Sequence, residues 1–423
     1  MFTFSIHKRL QNKAGKPFLG RVATYNTPHG QIQTPAFVAV GTKASVKGVT
    51  VEMLRDINAQ VFLANTYHLH IAPGEDIVKR SGGLHTFANW SGPMMTDSGG
   101  FQAFSLGAAF GTNVSKIATK DSGYTQTEKN TRLDSMAKVT EEGVEFRSYK
   151  DGSKIFFTPE KSMQIQQDLG ADMYFAFDEC TSPQATAEYQ REAMERTHRW
   201  AQRSLDEHQK LEKKKKSIIK KVASKVSGQS IRLPQALFGV VQGGQHLDLR
   251  KESAKTLGEM DFDGYGIGGA FTKEDMAEAV RTACTELPEE KPRHMLGIGE
   301  PIDFFLGIEN GMDLFDCVAP TRMARHGSVH TKDGKLNIKN AKNRDDFDPI
   351  EKDCACYACV NYSRAYICHL LREKEMLGAT LASVHNLAFV IKLVDDIRQS
   401  MIDETFFENK KEFLDRYYGV GKW

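Results

Sequence analysis

The sequence predicts an α/β protein folded as a (β/α)8 barrel of the TIM type, with a small subdomain inserted near the C-terminus. Two observations carry the barrel: eight short, continuously apolar segments recur along the chain, and helical patterns lie between many of them. A third, a late cluster of cysteines followed by a histidine, carries the subdomain.

The apolar segments are AFVAV (36–40), VFLANT (61–66), PMMTDSGG (93–100), MYFAFDEC (173–180), ALFGVVQGG (236–244), GYGIGGA (264–270), HMLGIG (294–299) and LFDCVAPTR (314–322). Each is too short for a helix, and each is apolar throughout rather than alternating, as strands covered on both faces are. PEKSMQIQQDLG, HLDLRKESAKTLGEM and KEDMAEAVRTACTEL read as helices between them. Eight strands alternating with helices is the count of a barrel, with an open doubly wound sheet as the rival. Barrels carry their chemistry at the C-terminal strand ends. Here those ends hold Asp97 and Ser98, Asp178 and Cys180, Gln242, Gly268 and Gly269, and Asp316. Turn propensity explains any one of these residues, but not the set.

Residues 1–35 read as an N-terminal β-hairpin region with turn signals at Gly15, Pro28 and Gly30. Residues 36–322 read as the catalytic barrel, and 323–423 as the metal subdomain with C-terminal helices. VEFRSYKDGSKIFF (144–157) is a hairpin turning at Asp151–Gly152. The polar stretch 108–140 and the lysine-rich stretch 211–232, with Lys213 to Lys216, Lys220, Lys221 and Lys225, read as inserted loops.

Composition sets the class. Of 423 residues, 40% are hydrophobic and 26% charged, the balance of a globular protein with a sizeable core. No apolar run is expected to approach the roughly 20 residues that cross a bilayer, and no secretory signal opens the chain. The expectation is a cytoplasmic protein without membrane attachment. The net charge of +2 is near neutral, so any phosphate binding needs a local patch.

Seven cysteines, an odd number with four gathered late, read as a reduced protein with a metal site rather than a disulfide framework. Cys354, Cys356 and Cys359 form a C-x-C-x2-C knuckle, and His385 follows after 25 residues. Three thiolates and an imidazole are a closed tetrahedral zinc set, so one structural Zn2+ per chain is expected. Cys368 and His369, on the apparent helix SRAYICHLLREKE, are rival ligands that more naturally pack.

TDSGGFQAFSL, FDECT, VVQGG, GIGGA, HMLGIG, LFDCVAPTRMARHG and C-x-C-x2-C-x25-H, in that order, resemble the motifs of the bacterial-type tRNA-guanine transglycosylases, the queuine tRNA-ribosyltransferases. The resemblance runs from about Pro35 to the last helix. It implies exchange of a guanine in tRNA for a 7-deazaguanine, with retention. By similarity Asp316 is the nucleophile at the ribose carbon and Asp97 the general acid/base. Asp178 accepts from the guanine N–H edge, Gln242 and the Gly269 N–H donate to its carbonyl, Phe101 stacks on the base, and Asn65 lies near the ribose. Ser98 and Gly268 complete the base site, and Leu296 stands where many members have methionine.

The chemistry is consistent with these roles. Retaining exchange at a glycosidic carbon needs a carboxylate nucleophile and a second proton-transferring group. A crowded carboxylate mouth can keep one acid protonated. The nucleotide must be turned out of its loop and its backbone held. Arg322 and Arg325, then Lys332, Lys335, Lys339, Lys342 and Arg344, are the phosphate candidates. The resemblance further implies tRNAs with a GUN anticodon and a homodimer, with Tyr362, Tyr366 and His369 facing Phe87 of a second copy. After the sixth strand many members read GGLAVGE and this chain reads GGAFTKE, leaving Glu274 as the nearest counterpart of that glutamate. The incoming base is then 7-aminomethyl-7-deazaguanine, slightly ahead of queuine. A non-catalytic RNA-binding subunit of the same fold is the main alternative, disfavoured by the presence of both Asp316 and Asp97. An archaeosine-type enzyme would add C-terminal domains for which little chain follows His385, and a zinc-dependent barrel hydrolase would need ligands at the strand ends.

Overall fold

Every one of the eight apolar segments forms a strand in the computed structural model, which describes residues 2–11, 18–101, 117–118, 137–183, 185–223, 233–269, 271–272 and 275–423. They are β1 (Ala36–Val40), β2 (Phe62–Ala64), β3 (Met94–Thr96), β4 (Met173–Phe175), β5 (Ala236–Val241), β6 (Gly264–Ile267), β7 (Arg293–Met295) and β8 (Leu314–Asp316). They are neighbours in chain order around one closed barrel. The pairings are parallel, with Met173 opposite Ala236, Phe238 opposite Gly264 and Leu314 opposite Ala36. Within these strands only Val40 is not buried. Such strands face the barrel interior on one side and helices on the other, which is why their sequences do not alternate.

Helix boundaries follow local chemistry. In Pro159–Leu169 the Thr158 hydroxyl accepts the Lys161 N–H at 3.2 Å, Pro159 opens the first turn, and Gly170 closes the helix at φ 76°. The helix Ala187–Ala223 runs through the first part of the stretch that the sequence suggested was a loop. Lysine propagates a helix well, and buried Lys215 anchors this one, donating to Glu212 at 3.0 Å and to the Leu233 carbonyl at 2.6 Å. Residues 224–232 lie outside the described residues, as does most of 108–140. From the latter, Ile117–Ala118 pairs in parallel with Phe271–Thr272.

The chain divides into two compact units. One comprises residues 1–2, 64–87 and 94–294, the other residues 3–63, 88–93 and 295–423. In the first, Val144–Arg147 and Lys154–Phe157 make the expected hairpin. Its turn is fixed by Asp151, which accepts from the Ser153 N–H and hydroxyl at 3.1 and 2.8 Å. In the second, the N-terminal region is a three-stranded antiparallel sheet of Thr3–Arg9, Arg21–Thr27 and Gly30–Thr34, one strand more than a hairpin.

The helix Met376–Ile402 corrects one expectation, being long and apolar enough to cross a bilayer, although 67% of its apolar window is buried within the protein. It packs on Ala319–Arg325 and Ser328–Thr331 and buries Ser383, His385 and Asn386 in its middle. It is therefore a core helix.

Arg21 and Asp313 form a bidentate pair, Nε to Oδ1 at 2.9 Å and Nη2 to Oδ2 at 2.7 Å, with both residues at most 1% exposed. The pair ties the N-terminal sheet to the residue preceding β8. Removing one member of such a pair strands the other charge. Arg21→Met is expected to lower the unfolding free energy by about 3–5 kcal/mol, and Arg21→Met with Asp313→Leu to recover much of it. Urea titration followed by fluorescence checks this, and an unchanged midpoint for the single variant would count against it.

Candidate functional site

In the first unit, three of the residues singled out at the ends of β3 to β6, Ser98, Asp178 and Gln242, form one hydrogen-bonded chain, and Asp97 has partners of its own. Asp97 directly follows β3. Its Oδ1 accepts the Thr66 N–H at 2.9 Å and the Gly99 N–H at 3.2 Å, and its Oδ2 accepts from Asn65 Nδ2. Asn65 caps the helix Thr66–Ile71 through the His68 N–H at 2.9 Å, so a helix start sets the Asp97 carboxyl plane. Ser98 donates to Asp178 Oδ1 at 3.0 Å, and Gln242 Nε2 donates to Asp178 Oδ2 at 2.7 Å. Asp178 and Gln242 are 8% and 2% exposed.

Gly268 and Gly269 follow β6 and pack on the Gln242 side chain. A Cβ on Gly268 would stand 2.7 Å from Gln242 Nε2, and Gly269 sits at φ +83°, where a side chain is strained. Phe101 is half-buried and is the last residue described before 117. Glu274 lies outside the described residues. A carboxylate, a carboxamide and a glycine pair can together satisfy the donors and acceptors of a flat amide-bearing ring.

In the second unit, Asp316 ends β8 and is 9% exposed, and its Oδ1 accepts the Gly297 N–H at 3.0 Å. Burial, with the Asp316 charge beside it, pushes the Cys317 thiol up to about 12, so it is no nucleophile at neutral pH. Arg322 is exposed and Arg325 half-buried on Ala319–Arg325. Burial and the nearby Arg322 charge lower the Arg325 guanidinium. Of the following basic residues, Lys332 pairs with Asp353 at 3.0 Å and Lys335 with Glu300 at 2.8 Å.

The second unit also holds the sulfur–nitrogen cluster. The donor atoms of Cys354, Cys356, Cys359 and His385 lie within 4.8 Å of one another and could hold a metal ion. His385 Nδ1 faces the three sulfurs at 3.8, 3.8 and 3.2 Å, while its Nε2–H donates to the His330 carbonyl at 2.7 Å. That outer bond fixes the tautomer and leaves Nδ1 a lone pair to bind with. Hydrogen bonding among the three thiols holds Cys354 well below its ordinary range and pushes Cys359 above it, as protons shared within one sulfur cluster do. Cys368 is buried near the Asn340 carbonyl and His369 is exposed, and neither belongs to the cluster.

Sequence reasoning missed several supporting residues. Ser162 donates to the Ser98 carbonyl at 2.7 Å, and Gln166 bridges Ser162, the Thr96 hydroxyl and the Phe175 carbonyl. Glu179, beside Asp178, is held by Arg196 and by the Tyr189 hydroxyl. Fully buried Arg250 binds the carbonyls of Gly244 and Gly268. For Ser162 and Gln166 the signal was available as polar residues on the inward stripe of an amphipathic helix, whereas Glu179 and Arg250 carry no such local mark.

Comparison with known proteins gives the family. The family model described as queuine tRNA-ribosyltransferase matches residues 18–114 and 110–419. The chain is 46% identical over 400 residues to a queuine tRNA-ribosyltransferase of Staphylococcus aureus strain bovine RF122, covering 94% of this chain and 93% of the relative. The same protein of strain JH9 is 45% identical with the same coverage. The chain belongs to the queuine tRNA-ribosyltransferase family of pentosyltransferases.

Proposed function

We propose that this enzyme removes guanine from the anticodon wobble position of tRNAs with a GUN anticodon and installs a 7-deazaguanine, in queuosine biosynthesis. The observation that carries the reading is the buried Ser98–Asp178–Gln242 chain beside Gly268 and Gly269, in a chain of this family. Asp178 accepts from the N1–H and 2-amino edge of the purine. Gln242 and the Gly269 N–H donate to its 6-carbonyl, Ser98 and Gly268 shape the same recess, and Phe101 stacks on the ring. A 7-deazaguanine keeps that edge and differs on the five-membered ring, so one set of contacts serves both bases.

Asp316 then attacks the anomeric carbon of the ribose. The carbon–nitrogen bond to guanine breaks as the aspartyl ester forms, and Asp97 hands a proton to the departing base. In the second half the incoming base gives its N9 proton to Asp97, its nitrogen replaces the Asp316 oxygen, and the tRNA is released. Asn65 fixes Asp97 for both transfers. Arg322 and Arg325 hold phosphates of the turned-out nucleotide. Support comes from the position of both aspartates at C-terminal ends of barrel strands, where barrels place their chemistry.

Cys354, Cys356, Cys359 and His385 hold zinc, whose four protein ligands give it a structural role. The enzyme works as a cytoplasmic homodimer. An exposed aromatic group supports the dimer, with Tyr362 and Tyr366 stacked at 5.4 Å and Tyr366 41% exposed on the Arg364–Arg372 helix. The favoured incoming base is 7-aminomethyl-7-deazaguanine, ahead of queuine. A non-catalytic RNA-binding role would not require Asp316 and Asp97 at strand ends.

Asp316→Asn is expected to reduce exchange of labelled guanine into tRNA by about 10³-fold or more, with tRNA affinity kept within a few-fold. Substantial exchange in that variant would remove Asp316 from the mechanism. Cys356→Ala is expected to lose the metal, measured as zinc per chain by elemental analysis, and full stoichiometry would refute the ligand set. Unmodified tRNA incubated with queuine and its aminomethyl precursor in competition should take up the precursor preferentially. Equal incorporation overturns that preference, and preferential uptake of queuine decides for queuine.

A further inference from the structure

We infer that Arg250 is a positioning residue that aims the Gly269 N–H into the purine recess. This rests on the reading above, in which Gln242 and that N–H recognise the 6-carbonyl. Arg250 lies in the first turns of Leu247–Gly258 and is 0% exposed. Its Nη1 donates to the Gly268 carbonyl at 2.7 Å and, longer, to the Val241 carbonyl at 3.4 Å, and its Nε donates to the Gly244 carbonyl at 2.8 Å.

The Gly268 carbonyl and the Gly269 N–H belong to one planar trans peptide, so they point in opposite directions. Fixing the carbonyl on the guanidinium therefore turns the N–H the other way. Without that anchor a glycine–glycine peptide rotates cheaply, and the flipped form would set a carbonyl oxygen against the oxygen of the base. The neighbouring recognition residue is held from the same helix, since Ser253 Oγ accepts the Gln242 N–H at 3.2 Å. Arg250 and Ser253, three residues apart, thus brace the backbone that ends β5 and β6. The close packing leaves no slack, because a Cβ on Gly269 would meet Arg250 Nη2 at 2.9 Å. Burial lowers the guanidinium to about 9, which still leaves it cationic at neutral pH.

Lysine has one point charge and cannot bridge two strand ends as the planar guanidinium does. The test uses Arg250→Lys and Arg250→Gln in the full-length zinc-loaded enzyme, measuring base exchange with guanine and with 6-thioguanine, which keeps the N–H edge but accepts hydrogen bonds poorly. Both variants should raise KM for guanine by about 10- to 100-fold while KM for tRNA stays within about 3-fold. The preference for guanine over 6-thioguanine should collapse, a change that a general loosening of the core would not produce. An unchanged preference in folded protein overturns the inference, as does failure of both variants to fold, which would make Arg250 a core residue only. Gln242→Ala serves as the reference. If it too leaves the preference intact, the recess itself has been misread, whereas a loss there with none at Arg250 removes only the role of Arg250.

Discussion

A carboxylate that is 8% exposed must be surrounded by donors, and much of the first unit's chemistry follows from supplying them to Asp178. An ionised carboxyl left unpaired in such a place costs several kcal/mol, of the order of ~3–5 when one partner is lost. Ser98 and Gln242 each give one hydrogen bond, and each is then constrained in turn. Ser98 is placed by the turn after β3, where its Oγ accepts the Gly100 N–H at 3.2 Å and its carbonyl accepts from Ser162. Gln242 gives one of its two amide N–H groups to Asp178, so its carboxamide orientation is set. The residues that close over it must be small, which accounts for the two glycines after β6. One buried charge thus dictates a serine, a glutamine and a glycine pair on three different strand ends.

Much of this was legible in the sequence because each demand leaves a local mark. Doubly covered strands have no reason to alternate, so eight apolar runs announced eight strands. Polar residues at their C-terminal ends pointed to the Ser98–Asp178–Gln242 chain, and a sulfur knuckle with a distant histidine pointed to the four-donor cluster that could hold a metal ion. What escaped notice depends on contacts remote in sequence. Arg250 looks like any arginine near a helix start until the Gly268 carbonyl, 18 residues on, is placed against it. The lysines of 211–232 suggested an inserted loop because charge was read before propensity, yet Lys215 reaches back to the chain at residue 233 and holds a helix together. The apolar length of Met376–Ile402 was missed for a related reason, since His385, Asn386 and Lys392 interrupt it in the sequence while two of them are satisfied internally in the fold.

In the second unit one seam of buried polar groups ties the long helix to the segments beside it. His385 and Asn386 are successive residues of the long helix, and both engage the backbone of His330. His385 donates to the carbonyl at 2.7 Å, and Asn386 Oδ1 accepts the N–H at 2.9 Å. The Asn386 amide then donates to the carbonyls of Pro320 and Ser328, at 2.9 and 3.1 Å. The imidazole that faces the three sulfurs is thereby coupled, through a single residue, to the helix carrying Arg322 and Arg325. Distortion of the sulfur cluster would be felt at that helix through hydrogen bonds rather than through loose packing.

The electrostatics of that helix favour an anionic partner. Arg325 is half-buried, and the charge of Arg322 adds to the effect of burial in lowering its guanidinium. A half-buried guanidinium held back in this way gains from an incoming phosphate, which supplies the hydrogen bonds and counter-charge that burial withholds. The neighbouring lysines differ. Lys332 and Lys335 already have carboxylate partners, Asp353 and Glu300, but these are solvent-accessible pairs worth about 0–1 kcal/mol. A backbone phosphate can displace such a partner at little cost. On the proposed tRNA reading, the arginines are the phosphate-binding pair and the lysines an adjustable margin, on a chain whose overall charge is only +2.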